Sequence, residues 1–242
     1  MRPKHRLPFE ILFEDRDVIV IDKPEGLLTT HTKVLGRLAR EAQLTAENLL
    51  NDYVRKGQLK SRNRVWLVHR LDRETSGVMM FAKSEDVSEA FRSHWNEVTE
   101  KTYRARVEGL LESEEGVFES YLQEDADGYK VRSVPAPTQA SKRANSQKPA
   151  KLARTEWKRL STRDGTTLVE VMLKSGRKNQ IRVHFSEAGH PVVGDVKYGA
   201  HKASRLYLHA RKLRFRHPFS GKWLEFSAKA PRGLEDAQAD RT

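Results

Sequence analysis

Two short segments of this 242-residue chain carry ionisable residues in patterns that could do chemistry. In the first, His69-Arg70-Leu71-Asp72-Arg73-Glu74-Thr75-Ser76-Gly77, an aspartate stands between two arginines in a turn set between two apolar runs. Neighbouring guanidinium groups favour the carboxylate anion, the form that a nucleophile or a general base needs. A solvated turn whose Asp bonds its own backbone has the same appearance. The second segment runs from Ser175-Gly176-Arg177-Lys178-Asn179-Gln180-Ile181-Arg182-Val183-His184-Phe185 to Gly189-His190-Pro191-Val192-Val193-Gly194-Asp195. Arg177, Lys178 and Arg182 put three cations within six residues at the end of a strong apolar strand, near glycines that allow close backbone approach. They suit phosphate contact or a counter-charge for a buried carboxylate, with a basic helical turn as the plain alternative.

Other chemistries find little support. The chain has no cysteine, which excludes disulfide scaffolds, thiolate metal sites and cysteine nucleophiles. His184 and His190 stand six apart without a third ligand in pattern, a weak zinc signal. Neither G-x-x-x-x-G-K-[ST] nor G-x-G-x-x-G occurs, and there is no G-x-S-x-G elbow. Lys and Arg number 45 against 33 acids, a net charge of +12. The cations are segregated: 196–224 holds eight basic residues and no acid, and 129–155 holds seven and no acid. That is the footprint of a phosphate-backbone binder, although a merely basic surface would also give it. No apolar run approaches the roughly 18 residues of a membrane-spanning helix. Met1–Arg6 is not followed by the apolar core of a signal peptide, so a soluble, cytoplasmic protein is expected.

The elements that must position these segments read as an α+β domain around a mixed or antiparallel sheet. Strands are expected at Ile11–Asp15, Val18–Asp22, Arg64–Val68, Val78–Ala82, Thr102–Val107, Thr155–Trp157, Thr167–Leu173, Leu206–Leu208, Lys212–Phe215 and Trp223–Ser227. Helices are expected from an N-cap at Thr45 to a C′ glycine at Gly57, and over Val87–Val98. Pro135–Pro149 lacks large apolar residues and reads as a surface loop. Residues 1–8 read as an N-terminal extension, 9–231 as one catalytic domain, and 232–242 as a polar, disordered tail.

His69–Gly77 together with Gly176–His184 closely resembles the signature segments of the RluA-type pseudouridine synthases. Ile11–Asp15 with Asp22–Gly26, Lys101–Ala105, Gly189–Pro191 with Gly194-Asp195 and Tyr198-Gly199, and Leu208–Ala210 with His217-Pro218 fit the same family in order. The pattern begins by Phe9, so no S4-like RNA-binding domain is expected ahead of it. Asn179 replaces the His more usual in the second signature.

The resemblance implies the pseudouridine synthase fold and an isomerase that converts uridine in ribosomal or transfer RNA to pseudouridine, without metal or cofactor. Asp72 matches the family's catalytic aspartate, which either attacks the nucleotide covalently or removes a sugar proton. Arg182 matches the basic residue that pairs with that aspartate, and Tyr103 the active-site tyrosine. Arg70 matches a residue that helps fill the space left by a flipped base. Leu208 is a candidate pocket wall, or equally a core residue. Arg177 and Lys178 are candidate substrate contacts, and the basic 135–154 and 197–222 stretches are candidate backbone contacts. A monomer with RNA as partner, and no membrane or obligate protein partner, is expected. A silent RNA-binding protein and an N-glycosidase or nuclease are the rival readings.

Overall fold

Two strands joined by a tight turn start the chain's regular structure: β1 (Glu10–Glu14) and β2 (Val18–Lys23). Asp15 closes the turn, its Oδ1 accepting the backbone N–H groups of Asp17 and Val18, both at 2.8 Å. The computed structural model describes residues 7–31, 43–56, 58, 60–137 and 148–235. The stretch read as one catalytic domain is built of two compact units. The first is 1–99 with 210–229, and the second is 100–209 with 230–242.

In the first unit, β2 pairs antiparallel with β4 (Ser76–Ala82), whose other edge carries β10 (Leu208–Arg216) and then β11 (Trp223–Ser227); β3 (Trp66–Leu67) adds to the end of β4. Val18–Ile21 and Met79–Ala82 are wholly buried, as central strands covered on both faces must be. Helix α1 (Ala46–Arg55) starts at its expected cap, Thr45, whose side chain accepts from the N–H of Asn48. It ends on Lys56 in the left-handed region, and the expected C′ residue Gly57 lies outside the described residues. Helix α2 (Glu85–Val98) is capped by Ser84 and sets Val87 and Phe91 into the core, where Phe91 meets Phe215 edge-on at 5.6 Å. Gly77 has φ +114°, and a Cβ there would stand 2.2 Å from the carbonyl oxygen of Ala210, so the β4–β10 contact requires glycine.

The second unit is an antiparallel sheet in the order β5 (Thr99–Glu108), β9 (Thr166–Leu173), β8 (Lys151–Arg163), β6 (Glu115–Glu124), β7 (Val131–Val134). Helix α3 (Gln180–Glu187) packs Phe185 edge-on to Phe118 at 5.1 Å. Among the described residues, β6, β7, α3 and a short 3-10 turn over Val196–Tyr198 go beyond the sequence reading. The tail differs too. Its first residues are placed, with Leu234 fully buried beside Leu168 and Tyr207 and its carbonyl accepting from Arg106 at 2.8 Å. Residues 236–242 and most of the Pro135–Pro149 loop (138–147) lie outside the described residues.

Candidate active site

Asp72 sits half-buried in the loop between β3 and β4 of the first unit, with Arg70 and Arg73 exposed beside it. A lysine of the Asp22–Gly26 motif supports this loop. Lys23 is fully buried, and its ammonium donates to the carbonyls of Pro24 (2.8 Å), Leu27 (2.7 Å) and Arg73 (3.3 Å). The N–H of Gly26 donates to the Arg73 carbonyl at 2.8 Å, and Nε of Arg73 to the Gly26 carbonyl at 3.1 Å. Buried Thr29 both donates to the Leu71 carbonyl (2.8 Å) and accepts its N–H (3.3 Å). His69 stacks on Trp95 at 4.8 Å while its Nε2 accepts from the N–H of Met80. The residues on both sides of Asp72 are therefore fixed by buried polar contacts.

The second unit carries the other candidates. Tyr103 is a buried residue of β5, opposite Val171 of β9. Arg182 lies in the first turn of α3 and is 6% exposed. Its Nε donates to Oδ2 of Asp195 at 2.6 Å and its Nη2 to Oδ1 at 2.7 Å, a two-pronged ion pair with a carboxylate only 2% exposed. The ring of Tyr198 lies 5.2 Å from the guanidinium carbon. Tyr198 is itself fixed, its hydroxyl donating nothing in these two bonds but accepting the Asn179 side-chain amide and the Val131 N–H, both at 3.0 Å. Asp195 and Tyr198 were legible only as parts of family motifs.

Arg177 and Lys178 are half-buried in the loop leading into α3. Gln180 locks that loop: its Oε1 accepts from Ser175 Oγ (2.8 Å) and the Arg177 N–H (3.0 Å), while its amide donates to the Arg154 carbonyl and to Thr155 Oγ1. Leu208 is buried at the start of β10.

The weak zinc reading meets a direct physical obstacle. His184 uses both ring nitrogens on hydroxyls, Nδ1 with Thr155 at 2.8 Å and Nε2 with Ser120 at 3.0 Å. Among the described residues, three side chains do gather metal-type atoms: Asp15, Asp17 and His217. There the Ser220 N–H donates to Nδ1 of His217, so a neutral ring carries its proton on Nε2, which faces the two carboxylates at 3.3 and 3.6 Å. A cation would need a lone pair at that atom, and the cluster is better read as a clamp between two turns.

Sheet pairing also changes the charge picture. The 129–155 stretch holds no acid, yet β6 and β8 supply acids to it: Arg154 pairs with Glu119 and Glu156 at 3.2 Å, and Lys148 with Glu124 at 2.5 Å. Further along, Lys212 pairs with Glu225 at 2.9 Å.

Residues 17–187 match the family model described as RNA pseudouridylate synthase. The chain belongs to the RNA pseudouridine synthase family. As a member, the synthase is an isomerase that converts uridine in RNA to pseudouridine. It is 35% identical over 222 residues to the dual-specificity RNA pseudouridine synthase RluA of Vibrio parahaemolyticus, covering 89% of this chain and 80% of that one. It is 34% identical over 233 residues to tRNA pseudouridine synthase C of the same organism, covering 90% and 89%. A solved structure of human RNA pseudouridylate synthase domain containing 4 superposes with a TM-score of 0.68 at 27% identity, covering 92% of the synthase and 88% of that chain. The α+β fold expected from the sequence agrees with that likeness. Among the described residues no helix is long and apolar enough to cross a membrane.

Proposed function

We propose that Asp72 is the catalytic carboxylate of this synthase, assisted by Tyr103 and Arg182, and that its substrates are uridines in structured ribosomal or transfer RNA. In the reaction the N1–C1′ bond breaks, the uracil turns, and C5 bonds to C1′; the C5 proton leaves to solvent and N1 takes one up. A carboxylate in a well-held loop suits this chemistry, because the reacting group must meet the sugar or base in one orientation. The observation that most supports the assignment is the support of the Asp72 loop by buried Lys23 and Thr29.

Tyr103 can stack on uracil and move the C5 proton through its hydroxyl. Arg182 supplies positive charge, oriented by Asp195. A uracil within a stem cannot reach a carboxylate, so the target is flipped out, with Arg70 filling the vacated space and Leu208 as an apolar wall. The synthase acts as a cytoplasmic monomer, with Arg177 and Lys178 contacting RNA.

Tritium release from RNA labelled at uridine C5 tests the assignment, with ribosomal and transfer RNA transcripts tried separately. Asp72→Asn is expected to abolish release while RNA binding persists. Turnover near that of the unaltered chain would remove Asp72 from the mechanism. Free uracil or cleaved strands among the products would instead favour an N-glycosidase or nuclease.

A further inference from the structure

Beside the loop that leads into α3, the second unit holds a cavity of about 400 Å³. Its floor is apolar, made by Leu122 and Val131, which belong to a buried cluster with Ala153 and Val183. Four cations line it as well: Lys148 just before β8, Lys151 at the first position of β8, and Arg177 and Lys178 in the loop into α3. One carboxylate, Glu124, serves this group, accepting from Lys148 at 2.5 Å and from Lys178 at 3.5 Å. Burial works to raise the Glu124 pKa, but the two lysines outweigh it and hold the group below its ordinary value. Arg177 directs Nε to the Leu152 carbonyl at 3.1 Å, an uncharged acceptor.

We propose that this cavity is an RNA subsite, separate from the target uridine, that takes one unpaired nucleotide with its 5′ phosphate. The phosphate lies against Arg177 and the lysines, and the base lies on Leu122 and Val131. The proposal deepens the RNA-modifying reading of the site and rests on it for the identity of the ligand.

Three features support a nucleotide over a bare surface charge. A volume of this size lies in the range of small-ligand sites and far exceeds what one phosphate needs. The combination of apolar floor and cationic wall matches a nucleotide's two halves. And the like charges are crowded. Gly176 lines the cavity, and a Cβ there would stand 3.8 Å from the ammonium of Lys101. Burial, and then the charge of Arg177, lower the Lys101 pKa to about 8. An anion placed between them relieves that repulsion.

The test uses the full chain and a fluorescein-labelled decauridylate, with affinity read by anisotropy across a salt series. Lys148→Gln with Lys151→Gln removes two exposed cations of the cavity without touching the core. Losing one phosphate contact is expected to flatten the slope of log K against log salt by about 0.7, which is about fivefold in affinity at 0.1 M salt. Gly176→Leu fills the cavity at constant charge, at a residue whose φ is outside the left-handed region, and a similar loss is expected. Lys158→Gln with Arg163→Gln, cations of β8 outside the cavity, is expected to change neither quantity. Equal losses from both charge pairs, no effect of Gly176→Leu, or no binding by the unaltered chain would each overturn the subsite. Tritium release by the same proteins reports separately on the catalytic assignment.

Discussion

Replacing Asp195 with asparagine tests whether the orientation of Arg182 is built into the second unit. The substitution conserves volume and one acceptor oxygen, but removes the charge and one of two bonds at 2.6 and 2.7 Å. Both side chains are almost fully buried, at 7% and 1% exposure, so solvent cannot replace what is lost. Breaking a buried ion pair from one side costs about 3–5 kcal/mol. The acceptor that Asn keeps offsets roughly 1 kcal/mol of this. In a chain of this size each kcal/mol moves Tm by roughly 2–4 °C, so a fall of roughly 4–16 °C is expected. Calorimetry on the unaltered chain, Asp195→Asn, Arg182→Met and the double variant measures the coupling directly. Since the double variant removes both members of the pair, its loss should be smaller than the sum of the singles by about 2–3 kcal/mol. Strict additivity, or a Tm shift below roughly 2 °C for Asp195→Asn, would refute this account of Arg182.

Two pH dependences follow from buried groups. Burial holds His184 below its ordinary pKa of 6.5, so the folded chain resists protonation that the unfolded chain accepts; stability is full above pH 6.5 and falls as pH drops below it. Melting curves of His184→Gln between pH 7 and pH 5 should show a flatter decline, and an unchanged slope would remove His184 as the cause. Lys101 shows the same sign at higher pH, because burial again disfavours the protonated form. With its folded pKa lowered from 10.5 to about 8, it destabilises the fold at neutral pH, and that cost diminishes as pH rises through 8. Lys101→Met should therefore raise Tm at pH 7 and lose that advantage toward pH 10, while RNA affinity of the unaltered chain, but not of the variant, falls through pH 8. A Tm difference independent of pH would mean that packing, not charge, accounts for the effect.

Most of the first unit was legible because its strands are buried on both faces. Val18–Ile21 and Val78–Ala82 are continuous apolar runs bounded by Pro, Gly and charged turns, and nothing in the local sequence competes with that reading. The second unit was less legible, and β6 shows why. Its inward positions are Gly116, Phe118, Ser120 and Leu122: Gly116 lies under the Trp157 ring, where a Cβ would come within 2.6 Å, and Ser120 is needed to bond His184 at 3.0 Å. Two of four inward residues are therefore not hydrophobic, and the alternation that marks a half-buried strand disappears. Helix α3 hides for a related reason. Gln180, Arg182 and His184 are buried polar side chains whose partners come from strands and loops outside the helix, so the helix has no apolar stripe of its own. The candidate site was legible as motifs, but not the side chains that hold it. Lys23 and Asp195 act through contacts distant in sequence, and no local spacing reveals them.

The departure at position 179 shows how far geometry can go where a motif alone stops. The residue before α3 has φ 53°, in the left-handed region, which Asn and His both enter more readily than most side chains. An asparagine there keeps the backbone of the signature intact. Its amide is also divided between two neighbours: Nδ2 donates to the Tyr198 hydroxyl at 3.0 Å, and Oδ1 faces Nη1 of Arg182 at 3.5 Å. Asn179 thus ties the ring beneath the guanidinium to the guanidinium itself, in the same frame as Asp195. A histidine would offer one ring nitrogen to each side, with its tautomer deciding which neighbour receives a donor. The amide carries donor and acceptor at any pH, so the substitution keeps the support of Arg182 and removes a titrating group from beside it.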